Sequence, residues 1–189
     1  MRLILRAAQR YAEDFPDNEK PNLIFFGAAG LGKTFVADCI AQRIMERAYL
    51  ELGASSVVAL DVSSEMIRHA RMQFEDVPEH RLRFECQDVI DFEDDEPFDV
   101  VVIYNAYPHI LDKKALVKAA ASLLVPGGRF LVAHGMSRET LNAHHANVPH
   151  DVTSDLLPAK DAALDWQDAF DIDMMADTPF TYFFGGSKR

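Results

Sequence analysis

An open, mostly parallel β-sheet with helices on both faces is the fold class that this sequence predicts. Strand-length apolar runs alternate with stretches of helical periodicity along the chain, the pattern of a three-layer αβα sandwich. A glycine-rich turn, Gly27–Thr34, joins the first apolar run to the first long helical stretch, and Asp61, Asp88 and Asn105 follow or close later ones. Ligands of such sheets bind outside the carboxyl ends of the strands, so these four places can share one pocket. The chain has 189 residues and is 49% hydrophobic, which suits one domain, 1–189, with a sizeable core.

The elements follow in order. Arg2–Phe15 puts Leu3, Ile4, Ala7, Ala8, Tyr11 and Ala12 on one helical face, and Pro16, Asp17, Asn18 and Pro21 end that helix. Asn22–Phe26 is an apolar strand. Lys33 and Thr34 open a helix that runs to about Leu52, with Val36, Ile40, Ile44 and Tyr49 inward and Gly53 as its C′ residue. Val57–Leu60 is a second strand ending on Asp61, and Ser63 or Ser64 caps the next helix. Arg81–Cys86 places Leu82, Phe84 and Cys86 on one face of a third strand, and the acidic stretch Asp91–Glu96 is a solvated loop. Phe98–Tyr104 is apolar through Val100, Val101, Val102 and Ile103, as expected of a strand covered on both faces. Lys113–Leu124 is a helix terminated by Val125-Pro126-Gly127-Gly128, and Arg129–His134 is the fifth strand. Ser137, with Glu139 and Thr140, caps a helix to about Ala146. Pro158–Phe170 reads as a further helix, and Asp171–Met175 with Thr181–Gly185 as a closing antiparallel pair.

Composition excludes several partners. The formal charge is −11, from 30 acidic against 19 basic residues, so neither nucleic acid nor an anionic membrane finds the basic surface that it needs. The apolar runs fall far short of the roughly 20 residues that span a bilayer. Met1–Arg10 has no long apolar core or cleavage site after it, so a cytoplasmic protein is expected. Cys39 and Cys86 read as buried thiols outside any C-x-x-C motif. His134, His144, His145 and His150 lie close in sequence, but neighbouring residues on a helix diverge by about 100°, a poor arrangement for zinc. Ser137 has no triad partners and there is no G-x-S-x-G.

The most specific local motif is the turn itself. Gly27, Gly32, Lys33 and Thr34 occupy the fixed positions of G-x-x-x-x-G-K-[ST], with Ala28, Ala29, Gly30 and Leu31 between them. Backbone N–H groups of such a turn can cradle phosphates at a helix N-terminus. Lys33 would neutralise the outer phosphates and the Thr34 hydroxyl would hold Mg²⁺. Asp61 is a candidate for a ribose or for a magnesium-bound water. The same glycines also permit a G-x-x-G-x-G dinucleotide reading with Asp61 on a ribose, although the acid comes later than the usual spacing of about 20 residues.

Two family resemblances divide the chain. AQRYAEDF and PNLIFFGAAGLGKTFVADCIAQRIMERAY, within about residues 1–50, resemble the start of the ATPase core of bacterial helicase loaders of the AAA+ class. ELGASSVVALDVSSEMIRHAR, RLRFECQDVIDF, FDVVVIYNAYPHI, LLVPGGRFLVAHGMSRE and FTYFFGGSKR resemble class I S-adenosylmethionine-dependent methyltransferases of the small-molecule type. That second resemblance implies a methyltransferase strand order, with strand two beside strand one. It further implies that Asp61 holds the cofactor's ribose hydroxyls, that Asp88 recognises the adenine amino group, and that Asn105, Tyr107 and His109 border the substrate pocket. GAAGLGKT stands where the family has a G-x-G-x-G turn shaped to the cofactor's methionine part, and Asn105 stands where an AAA+ ATPase needs acids. The junction near Arg47–Gly53 then implies a recombined or engineered chimera.

The leading expectation is therefore a small-molecule nucleotide binder, taking ATP or ADP with Mg²⁺ at Gly27–Thr34, without efficient turnover. The alternative is an S-adenosylmethionine-dependent small-molecule methyltransferase. A ligand-free scaffold or an NAD-type dinucleotide binder comes third.

Overall fold

The computed structural model describes residues 22–26, 54–146, 148–149 and 152–189. The expected helix Arg2–Phe15, the turn Gly27–Thr34 with its helix, Cys39 and His150 lie outside the described residues.

Seven strands form one sheet: β1 (Asn22–Phe26), β2 (Ser56–Asp61), β3 (Leu82–Cys86), β4 (Phe98–Tyr104), β5 (Leu124–His134), β6 (Phe170–Thr178) and β7 (Thr181–Lys188). Their spatial order is β3-β2-β1-β4-β5-β7-β6. The first five run parallel, with Phe26 level with Leu60 and Ile103, and Asp61 level with Cys86. β7 returns antiparallel between β5 and β6, with His134 opposite Tyr182. The order change at β1/β4 is the switch point at which ligands of open α/β sheets bind. This is the order that the methyltransferase resemblance implies, with β2 directly beside β1 as expected.

Both faces are covered, and alternation along the strands divides the side chains between them. Val58, Leu60, Val101, Ile103, Phe130, Val132, Tyr182 and Phe184 face one core; Val57, Ala59, Val102, Tyr104, Ala133 and Phe183 face the other. Helix α1 (Ser64–Gln73) packs Ile67 and Ala70 on the second core. Helix α2 (Lys113–Leu123) and the short α4 (Ala159–Ala162) pack on the first. There Trp166 stacks on Phe130 with ring centroids 4.0 Å apart and planes 9° from parallel. Helix α3 (Arg138–His145) follows β5. No described helix is long and apolar enough to cross a membrane.

Capping decides where three helices begin. Ser63 Oγ accepts from the Met66 N–H, Asp112 Oδ1 from the Ala115 N–H, and Ser137 Oγ from the Thr140 N–H. Three expectations change. The Val125–Gly128 stretch is not a separate loop: Leu124 is already extended and pairs with Phe98, and Gly127 at φ 76° lets β5 step into its new register. The helix expected over Pro158–Phe170 ends at Ala162, tightens into a 3₁₀ turn at Ala163–Trp166, and gives way to β6, where Phe170 pairs with Lys188. Cys86, the last residue of β3, is exposed at the strand end, with its thiol 3.7 Å from the Val62 carbonyl.

Candidate functional site

The carboxyl edge of the parallel strands gathers the candidate residues. Asp61 ends β2 beside β1, and its Oδ1 accepts from the Ser63 N–H at 2.8 Å. That bond turns the carboxylate back over the strand tip and fixes the start of α1. Asp88 lies two residues beyond β3, is exposed, and accepts from the Ile90 N–H at 3.0 Å. The two carboxylates thus stand at adjacent strand ends, each held by a local turn.

After β4 the chain turns sharply. Asn105 has φ 53°, a left-handed conformation that asparagine tolerates better than most residues. Its backbone N–H donates to the Ala133 carbonyl at 3.0 Å, and its Oδ1 accepts from the Gly135 N–H at 3.0 Å. Asn105 therefore clips the ends of β4 and β5 together. Tyr107, in the 3₁₀ turn Tyr107–His109, is buried in the first core and meets Phe184 edge-on at 5.6 Å. Burial pushes its hydroxyl up to about 12. Of the three residues expected at the substrate pocket, Tyr107 is buried in the core, while Asn105, which clips two strand ends, and His109 are half-buried at the edge.

Beside it lies a cluster of three histidines and Lys113. His109 and His145 have ring centroids 5.0 Å apart, and Thr153 Oγ1 lies 3.3 Å from His145 Nδ1. His134, the last residue of β5, is 1% exposed, and neither ring nitrogen has a hydrogen-bond partner. Burial, then the nearby His109, His145 and Lys113, push its imidazole down to about 3. Burial also lowers His109 and His145. The Lys113 Nζ donates to the carbonyls of Tyr107 and Ile110 and sits 4.3 Å above the Tyr107 ring. These contacts favour its proton, while burial pushes it down to about 8.

A loop is strapped across this edge. Asn142 and Leu156 exchange two hydrogen bonds, at 2.9 and 3.1 Å, and the Ser154 N–H donates to the Pro108 carbonyl at 2.9 Å. Lys113, Asn142, His145 and Thr153 were not singled out for this edge by the sequence. Asn142 and His145 do share one face of α3 at i, i+3 spacing, the one local signal available. His144, the neighbour of His145, is exposed. Among the described residues, no three His, Cys, Asp or Glu side chains converge as metal ligands.

The comparisons with known proteins agree with this topology. Residues 39–128, just under half of the chain, match a family model described as "Methyltransferase domain". No curated protein matches the chain at the sequence level. Among solved structures, an S-adenosylmethionine-dependent methyltransferase from Mesorhizobium loti superimposes with a TM-score of 0.67 at 14% identity, over 97% of this chain and 96% of that one. The N-methyltransferase NodS from Bradyrhizobium japonicum WM9, in complex with S-adenosyl-L-homocysteine, gives 0.65 at 12%, over 99% and 86%. The glycopeptide N-methyltransferase MtfA, complexed with S-adenosylmethionine, gives 0.61 at 19%, over 97% and 93%. At these identities the likeness establishes a shared fold.

The leading expectation, an ATP or ADP site at Gly27–Thr34, is corrected by these findings. The methyltransferase model begins at residue 39 and its match spans the junction supposed near Arg47–Gly53. The structural likeness extends over nearly the whole chain. Neither a helicase-loader segment nor a chimera is supported. Nor does any finding support magnesium at Thr34 and Asp61, a role tied to that nucleotide. Four glycine-motif positions describe a local turn, whereas the strand order is a property of the whole sheet, and the sheet decides.

Proposed function

We propose that the chain is an S-adenosylmethionine-dependent methyltransferase acting on a small molecule. The observation that carries this reading is the placement of Asp61 at the end of β2, beside β1, and of Asp88 just past the end of the neighbouring β3, in a sheet of methyltransferase order. The donor set fits the cofactor: two carboxylates are pure acceptors, and a ribose diol and an adenine amino group are donors. Asp61 receives the ribose hydroxyls and Asp88 the adenine amino group. Gly27, Ala28, Ala29, Gly30, Leu31, Gly32, Lys33 and Thr34, which follow β1 in sequence, border the methionine part. When bound, the cofactor supplies an electrophilic methyl group. The chain's own part is to hold cofactor and acceptor at the carboxyl edge in a fixed relative position, which lowers the entropic barrier to transfer.

Titration calorimetry with S-adenosylmethionine tests this. The wild-type protein is expected to bind it, and Asp61→Ala to bind it roughly 10- to 100-fold more weakly, the loss of hydrogen bonds to a charged group. A wild-type protein that binds none overturns the reading.

A further inference from the structure

We propose that the His109–His134–His145 cluster is the recognition site for an acid group on the methyl acceptor, so that the acceptor is a small organic anion and not an amine. The inference rests on the methyltransferase reading above and names the substrate class of that site.

Three observations carry it. The first is His134, fully buried with both ring nitrogens bare. A neutral imidazole always presents one donor and one acceptor, and buried polar groups are almost always paired. His134 therefore has a polar partner still to find. The second is position. His134 ends β5, His109 lies in the turn after β4, and His145 ends α3. All three face the carboxyl edge that also carries Asp61 and Asp88, on the β5 side of β1.

The third is charge. In a chain with a formal charge of −11, His109, Lys113, His134 and His145 arrive from four different elements and act on one another electrostatically. Asp165 faces Lys113 and Asp155 faces His145. Among the described residues no carboxylate offsets His109 or His134. The Tyr182 ring stands edge-on to His134, but its hydroxyl donates to the Leu157 carbonyl. With the imidazoles neutral, Lys113 is the cation of the cluster and His134 offers a bare N–H donor; an incoming carboxylate or phenolate is drawn to this pair, and an ammonium group is repelled by Lys113.

Calorimetric titration with benzoate, acetate and benzylamine tests the proposal, on protein loaded with S-adenosylhomocysteine and on unloaded protein. Benzoate is expected to bind at least tenfold more tightly than benzylamine. His109→Asn and His134→Leu should each weaken benzoate at least tenfold while changing S-adenosylhomocysteine affinity less than twofold. Benzylamine binding as tightly as benzoate, no binding of either acid, or benzoate affinity unchanged in both variants overturns the proposal. Should S-adenosylhomocysteine fail to bind, the cofactor reading falls separately, and the unloaded titrations still judge the cluster. His109 is half-buried, so its variant decides the matter if His134→Leu does not fold.

Discussion

Replacing His134 by leucine removes a buried imidazole with no hydrogen-bond partner and leaves a side chain of similar volume. Most core substitutions destabilise; this one is expected to leave stability unchanged or raise it by about 1–2 kcal/mol, since a bare buried polar group is unfavourable by roughly that amount. Urea denaturation of the two proteins checks it. The same residue sets a pH dependence. Its native pKa, about 3, lies below the ordinary value near 6.5, so the unfolded chain binds the proton first. The stability that His134 contributes is complete above about pH 6.5 and is lost as pH falls towards its native value, by up to ~1.4 kcal/mol per pH unit. His109 and His145, also lowered by burial, act in the same direction. Denaturation curves between pH 8 and 4.5 should therefore be steeper for the wild type than for His134→Leu. The place of Asp61 and Asp88 at strand ends was legible in the sequence because an acid at or just after an apolar run is a local signal. Of the histidine cluster, His134 and His145 stood out as close in sequence, but His109 joins them only through the fold, from the turn after β4.

Among the elements, β7 carries the tightest approach. A Cβ on Gly186 would stand 2.2 Å from the Asp171 carbonyl oxygen, where β6 shifts register between Ile172 and Met174. Gly186→Ala is expected to cost at least about 1–3 kcal/mol, a fall in melting temperature of roughly 3–10 °C, readable by calorimetry. Ser137→Ala removes the cap of α3, and with it the fixed approach of Asn142 and His145 to the strap; about 1 kcal/mol is the expected loss. The strands were legible wherever apolar runs had clear ends, as at Phe98–Tyr104. The sequence misjudged the places where tertiary pairing overrides a local signal. Pro126-Gly127-Gly128 reads as a stop, yet pairing with β4 keeps it within β5. Pro158–Phe170 reads as one helix, yet Phe170 is needed in the sheet.

For the molecule as a whole, cofactor binding should appear as added stability. At a ligand concentration 100 times Kd, S-adenosylhomocysteine is expected to stabilise the fold by about 2.7 kcal/mol, a rise in melting temperature of roughly 5–10 °C. Scanning calorimetry reads it, and Mg·ATP at the same concentration should give no rise. The sheet order was legible because most of its strands match one family's pattern, whereas the glycine turn pointed elsewhere on the strength of thirteen residues' worth of local chemistry or less. The position of β7 has a further consequence. Residues 181–188 fill the gap between β5 and β6, so two strands already synthesised await a third before they can join. A nascent chain leaving the ribosome exposes the inner edge of β5 until that segment clears the exit tunnel. Completion of the sheet is thereby deferred until residues 181–188 have been made, and a chain stalled before them keeps that edge unpaired.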